Sequence, residues 1–314
     1  MFWLIGGGLV GLLLGGDLLV RGAASLAKRL RISELAIGLI LVGFGTSIPE
    51  LVTCLDAAWR HAPGIVIGNV VGSNIANILL VLGAAALVHP ISIQAEAFRR
   101  DGFALAIATL CGVVAAWLHE LTRAEGLVFL TLLAAYTVGT YVTEKRAEGI
   151  RADVHIGKAS LTEPKPDNLT YCIALFAGGT ALVFVGAGYF VDGCIELAHA
   201  FDVPETVIGL TVVAVGTSLP ELATAMIAAL RGRSELAVGN VLGSNMFNVL
   251  GILGTTAVLS PMPIPSFTSS LDLGMFVTSA LVLTVLALVN NTIGRIAGGC
   301  FVLVWCIYVL YLIG

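Results

Sequence analysis

Apolar residues run through this chain in long blocks separated by short polar clusters and one longer polar stretch. A helix needs about 20 largely apolar residues to cross a bilayer. The blocks predict ten such helices, at residues 2–27, 33–59, 64–88, 98–118, 122–143, 169–199, 204–230, 235–259, 272–290 and 293–313. The long polar stretch, 144–168, carries five Lys/Arg, two prolines and several acids and reads as a solvated linker. The expected organisation is a five-helix unit over 1–143, the linker, and a second five-helix unit over 169–314.

Within this apolar background one polar motif occurs twice. Gly45, Thr46, Ser47, Ile48, Pro49, Glu50 returns as Gly216, Thr217, Ser218, Leu219, Pro220, Glu221. Downstream of each, Gly68-Asn69-Val70-Val71-Gly72-Ser73-Asn74-Ile75-Ala76-Asn77 returns as Gly239-Asn240-Val241-Leu242-Gly243-Ser244-Asn245-Met246-Phe247-Asn248, without a gap. A long repeat in constant register means two copies of one structural unit.

Composition agrees with the pattern. Hydrophobic residues make up 58% of the chain and charged ones 11%, and the mean hydropathy is +0.99. Too few polar side chains remain to coat a water-soluble globule, so the class is an all-α polytopic membrane protein. The lipid bilayer is its surrounding, and nothing resembles a basic surface for nucleic acid. The six cysteines lie in apolar segments without CxxC or Cys/His spacing and read as plain buried thiols. The apolar N-terminus lacks the basic start and small-residue cleavage site of a signal peptide and reads as the first span.

The distribution of basic residues predicts orientation. The first, third, seventh and ninth connections and the linker hold all Lys/Arg except Arg21, Arg60 and Arg123. By the positive-inside bias these connections, including 144–168, are cytoplasmic and both termini are outside. Five helices per unit is an odd number, so two copies must face opposite ways, as an inverted repeat.

The motif's chemistry follows from its setting. Pro49 and Pro220 cannot donate to the carbonyls four residues earlier, which frees backbone oxygens at membrane depth. Ser73 and Asn77, and likewise Ser244 and Asn248, share one helical face, and Gly68/Gly72 and Gly239/Gly243 permit close helix approach. The units together supply two carboxylates, Glu50 and Glu221, surrounded by neutral oxygens, with freed carbonyls near Gly43 to Gly45 and Ala214 to Gly216. Hard cations such as Ca2+ and Na+ take oxygen ligands of this kind. No mid-span His or motif Cys suits zinc or copper. Two buried glutamates cost several kcal/mol unless a cation or proton neutralises them. An empty site therefore reorients reluctantly and a loaded one readily, which makes an exchanger rather than a leak. One divalent ion or several monovalent ones meet the same charge demand.

GTSIPE and GTSLPE, with GNVVGSNIANILLVLG and GNVLGSNMFNVLGILG, resemble the two alpha repeats of the cation/Ca2+ exchanger superfamily, in particular prokaryotic sodium/calcium antiporters. The match is strongest over 32–83 and 203–254, and the doubled motif is highly specific. The resemblance implies a secondary active antiporter of the inner membrane that needs no cofactor and exchanges Na+ for Ca2+ by alternating access. It implies Glu50 and Glu221 as shared carboxylates. Thr46, Ser47, Thr217, Ser218, Ser73 and Ser244 would supply hydroxyl or adjacent carbonyl oxygens, Gly43 and Ala214 backbone carbonyls, and Asn77 and Asn248 amide oxygens. Several relatives have aspartate at the position of Asn248, which argues here against K+ cotransport. H+ as the driving ion stays open, since the proton-coupled branch shares the acidic repeats.

Other readings are weaker. An intramembrane enzyme would need an asymmetric acid and base or a Ser with a deep His, whereas His61, His89, His119, His155 and His199 lie at span ends or in the linker. The occlusion expected of paired repeats weighs against a passive cation channel. Asp17/Arg21 and Asp56/Arg60 read as surface ion pairs at four-residue spacing. Asp192 and Glu196 read as a solvated helix end, and Glu34 and Glu205 as first-turn acids favoured by the helix dipole. Asn74 and Asn245 read as interhelical hydrogen-bond glue.

Overall fold

Among the described residues eight helices are long and apolar enough to cross a membrane: Phe2–Leu30, Pro63–Val88, Phe98–Trp117, Arg123–Lys145, Leu169–Leu197, Ser234–Leu259, Leu271–Asn290 and Arg295–Leu312. The structure is a computed structural model that describes residues 2–118, 120–155, 168–201, 216–264 and 270–313. Glu34–Thr46 and Ile48–Trp59 make a ninth candidate if joined across their 41° bend, and Leu219–Leu230 is a shorter apolar helix. The first half of the expected span 204–230 lies outside the described residues, as do Ala214, Glu205, His119 and linker residues 156–167.

In chain order the helices are α1 (Phe2–Leu30), α2 (Glu34–Thr46), α3 (Ile48–Trp59), α4 (Pro63–Val88), α5 (Ala95–Trp117), α6 (Arg123–His155), α7 (Leu169–Ala200), α8 (Leu219–Leu230), α9 (Ser234–Leu259), α10 (Ser270–Asn290) and α11 (Arg295–Ile313). Three contain a π-helical stretch: Gly38–Gly43 in α2, Asn77–Leu82 in α4 and Phe247–Leu253 in α9. Such widened turns leave carbonyls poorly paired and concentrate at functional sites. Those of α4 and α9 begin at or beside the repeated Asn77 and Asn248.

α9 is the central helix, with 94% of its apolar window buried. Its Gly239 and Gly243 face α2 so closely that a Cβ at Gly239 would lie 2.5 Å from the Leu35 carbonyl oxygen. Gly68 and Gly72, expected to do the same in the first unit, have no described atom within 4 Å of a Cβ. The segment that the repeat would set against them, 206–214, lies outside the described residues. α1 and α7 form a second intimate pair. A Cβ at Gly15 would lie 2.6 Å from the Val183 nitrogen, and one at Gly186 would lie 2.7 Å from the Leu12 nitrogen. Small residues at such spacings let helix backbones meet in lipid, and Leu13, Leu14, Ile173 and Val185 on the pair's outer faces are exposed.

Two short antiparallel ladders tie the helix ends together. β1 (Ile91–Ser92) pairs with β4 (Thr292–Ile293), and β2 (Glu120–Leu121) pairs with β3 (Met262–Pro263). The β1 end also holds an ion pair between Arg233 and Glu34, a Gln94 Nε2 to Glu235 Oε1 bond of 2.6 Å and a Ser92 N to Ser234 Oγ bond of 3.2 Å. Connections one, three, seven and nine, which carry half of the basic residues, thus meet each other.

Two expectations need correcting. α6 does not end at 143 but continues to His155, so Glu144 and Lys145 belong to a helix rather than to a solvated linker. Their charges find partners on α1, α2 and α5, which is why a polar segment extends a span. Of the six free cysteines only Cys54 and Cys172 are buried; Cys300 and Cys306 are exposed on α11, where a thiol behaves as a small apolar side chain against lipid.

Candidate ion site at two helix breaks

The two motifs fold into the same local shape. Ser47 (φ −86°, ψ 11°) precedes α3 and Ser218 (φ −91°, ψ 5°) precedes α8, and each helix carries its proline in the first two positions. Proline fits there because the first turn's N–H groups have no intrahelical partner. Glu50 and Glu221 follow directly, in the first turn, where the positive end of the helix dipole favours an anion. Both residues are 1% exposed. Among the described residues neither forms an ion pair with a basic side chain.

The hydroxyls and amides knit the two halves together. Ser47 Oγ donates to Glu221 Oε1 at 3.0 Å, and Ser244 Oγ donates to the Gly43 carbonyl at 3.1 Å. Thr46 Oγ1 lies 3.0 Å from the Val42 carbonyl oxygen and 3.2 Å from Asn240 Oδ1. Asn245 Nδ2 reaches the Asn74 carbonyl at 3.4 Å, the interhelical role expected for that pair. Phe44 of α2 stacks on Phe247 of α9 with ring centroids 5.0 Å apart.

Against this bonded scaffold stand, among the described residues, nine buried side-chain oxygens without a hydrogen-bond partner: Glu50 Oε2, Glu221 Oε2, Ser218 Oγ, Asn77 Oδ1 and Asn248 Oδ1 of the expected ligand set, and Asn245 Oδ1, Thr140 Oγ1, Thr224 Oγ1 and Thr256 Oγ1 outside it. Leaving a buried acceptor unpaired costs about 1–3 kcal/mol, more when it is charged. A hard cation coordinated by oxygens removes several such penalties at once. No group of three or more His, Cys, Asp or Glu gathers anywhere among the described residues, so neutral oxygens must complete any shell around the two carboxylates. Of the expected ligand set, Thr46, Ser47, Ser73, Ser218, Ser244, Asn77 and Asn248 are all buried, and Ser47 and Ser244 bond across between the two halves. Thr217 sits in the turn before α8, half-buried. The Gly43 carbonyl already accepts the Ser244 hydroxyl, so a cation bound there would share or replace that bond.

Asn240 is the residue that sequence reasoning left out of the site. Fully buried, it meets Thr46 through Oδ1 and donates through Nδ2 to the Glu221 backbone carbonyl at 3.1 Å, joining the two breaks. Its counterpart Asn69 accepts from Cys54 Sγ at 3.6 Å within its own half. The doubled Gly-Asn of the motif was the available signal. The weaker candidates behave as read: Asp17 pairs with Arg21 at 3.6 Å and also with Arg231, and Asp56 with Arg60 at 2.7 Å. Asp192 and Glu196 are exposed.

Comparison with known proteins decides the family. The chain matches the family model described as sodium/calcium exchanger protein over residues 1–142 and 171–314. The chain belongs to the sodium/calcium exchanger family. Within it, the chain is 36% identical to the putative antiporter CaxA of Alkalimonas amylolytica over 98% of this chain and 96% of that one. It is 33% identical to the sodium/calcium exchanger MaX1 of Methanosarcina acetivorans over 98% and 95%. A solved structure of the sodium-calcium exchanger NCX_Mj, soaked with 10 mM Na+ and zero Ca2+, superposes with a TM-score of 0.82 at 31% identity, covering 98% of this chain and 97% of that one. These relatives are exchangers and antiporters rather than enzymes, and the exchanger family places the chain among transmembrane transporters of calcium and sodium.

Proposed function

We propose that this exchanger-family member is a secondary active antiporter that binds Ca2+ and Na+ in turn between Glu50 and Glu221 and exchanges Na+ for Ca2+ across the cytoplasmic membrane. The observation that carries the reading is the pair of buried first-turn carboxylates, each with an unpartnered oxygen, with no basic side chain among the described residues to neutralise them. Ser218, Asn77 and Asn248 supply further unpaired oxygens, and Ser47, Ser73, Ser244, Thr46, Thr217 and the Gly43 and Ala214 carbonyls complete the proposed ligand set.

The chain is read as ten spans in two inverted units, 1–143 and 169–314, with the basic helix connections and the segment 144–168 on the cytoplasmic side and both termini outside. Two uncompensated carboxylates oppose reorientation, so the site crosses between its two exposures only when loaded. The glycine-seamed α1–α7 pair supports a cycle in which these two helices slide as one body over the rest. Ca2+ uptake into oriented vesicles under separately imposed Na+, K+ and pH gradients tests the reading. Uptake driven by the Na+ gradient alone is expected; uptake driven only by the pH or K+ gradient would contradict it.

A further inference from the structure

The junction between α1 and α2 is held from outside by side chains that the ion site does not use. α1 ends with Arg31 in the left-handed region (φ 56°) and with bonds from Ile32 N to the Ala27 carbonyl (3.1 Å) and from Arg31 N to the Lys28 carbonyl (3.3 Å). This closes two of the helix's last four carbonyls. The Leu30 carbonyl accepts instead from Lys145 Nζ at 2.5 Å. Two residues further on, Ser33 caps α2 through its hydroxyl (Ala36 N to Ser33 Oγ, 3.1 Å), while its own N–H donates to Glu144 Oε2 at 3.1 Å. Adjacent residues of α6 thus place a cation at the negative end of α1 and an anion at the positive end of α2, each matched to the dipole it meets.

The clamp is itself braced. Arg100 of α5 reaches Thr143 Oγ1 at 2.9 Å and Glu144 Oε1 at 3.5 Å, and makes a two-pronged pair with Asp101 at 2.7 and 3.2 Å. Asp101 is fully buried and also accepts from Tyr136 Oη at 2.9 Å. The second unit repeats the base of this arrangement: Tyr308 Oη donates to Asp272 Oδ1 at 2.7 Å, with Leu271 in the place of Arg100.

We propose that Glu144 and Lys145 are positioning residues of the exchange cycle: they clamp the α1–α2 junction in the present conformation, so that releasing them speeds the conformational step without altering ion affinity. The proposal rests on the exchange function above. If α1 and α7 slide as one body over the rest, Leu30 must move past α6 and its bond to Lys145 must break, while Glu144 holds Ser33 at the other end of the short connection that this movement pulls on.

The test uses the full chain in vesicles and in detergent, with Glu144→Ala, Lys145→Ala, the conservative Lys145→Arg, and Lys28→Ala as a charge-matched control on the exposed end of α1. Hydrogen exchange of the amides of residues 33–37 is expected to accelerate about tenfold in Glu144→Ala, with no change over α11. The maximal rate of Na+-dependent Ca2+ uptake is expected to rise about three- to tenfold in both alanine variants at unchanged half-saturating Ca2+. It should return toward wild type in Lys145→Arg and stay at wild type in Lys28→Ala. Unaltered exchange of amides 33–37, a maximal rate unchanged or lowered, or a half-saturating Ca2+ shifted more than about threefold would overturn the proposal. Absence of Na+-dependent uptake in the wild type would overturn the functional reading instead, while the amide exchange still decides the clamp.

Discussion

Ser47 and Glu221, 174 residues apart, share a hydrogen bond of 3.0 Å in which a hydroxyl from one helix break steadies the carboxylate of the other. The reciprocal hydroxyl, Ser218 Oγ, is buried and unpartnered. The two breaks have the same backbone shape, yet their side chains hold one carboxylate differently from the other. Substitutions at equivalent positions should therefore have unequal effects.

The carboxylates come first. Glu50→Gln and Glu221→Gln each keep the size of the side chain while removing a charge that a divalent ion needs. Both are expected to reduce Na+-gradient-dependent Ca2+ flux to background in vesicles, with protein yield and helical content preserved. Undiminished flux in either variant would remove that residue from the site.

Ser47→Ala removes the donor from Glu221 Oε1 and leaves another buried acceptor unsatisfied, a change of roughly 1–2 kcal/mol. An increase of about tenfold in half-saturating Ca2+ is expected, against a smaller increase for Ser218→Ala. Titrations of Ca2+-dependent uptake read the difference, and equal effects would contradict the unequal roles.

Gly243→Ala is expected to destabilise and Gly139→Ala, on the exposed face of α6, to be tolerated. A methyl on Gly243 would collide with the Leu39 backbone, whereas Gly139 is exposed and has nothing within 4 Å of a Cβ among the described residues. Overpacking of this kind costs about 1–3 kcal/mol. Thermal unfolding in detergent should show a lower midpoint for the first variant alone.

Asn240→Leu keeps roughly the side chain's volume but removes the bridge between Thr46 and the Glu221 backbone. Ca2+ affinity is expected to fall several-fold while both carboxylates remain, with Asn240→Asp no better because it loses the Nδ2 donor. Equilibrium 45Ca2+ binding measures this, and unchanged affinity in the leucine variant would show that the bridge plays no part in shaping the site.

Much of this was legible in the sequence because each half writes the same instruction. A proline four residues after Gly45 and again after Gly216 fixes a helix break, and a glutamate beside it in an apolar run is costly without a purpose. The four-residue spacings that predicted the Asp17–Arg21 and Asp56–Arg60 pairs are local geometry, and they hold. What the sequence hid is long-range. Nothing in the order of residues says that Asn240 will meet Thr46 and Asn69 will meet Cys54. Nor does a run of charges beginning at Glu144 reveal whether it meets water or a helix end. Composition favours water, and only the approach of the α1–α2 junction to α6 reverses that reading.

The central claim is that the two buried carboxylates cannot change sides without cations. Ca2+-loaded vesicles containing the full chain can be diluted into choline medium with and without Na+ at clamped membrane potential. Efflux of Ca2+ is expected only where Na+ or Ca2+ is present on the receiving side. Efflux into choline alone at the same rate, and at the same rate at acid and alkaline pH, would mean that the site crosses without Na+, Ca2+ or a proton, and would contradict the claim.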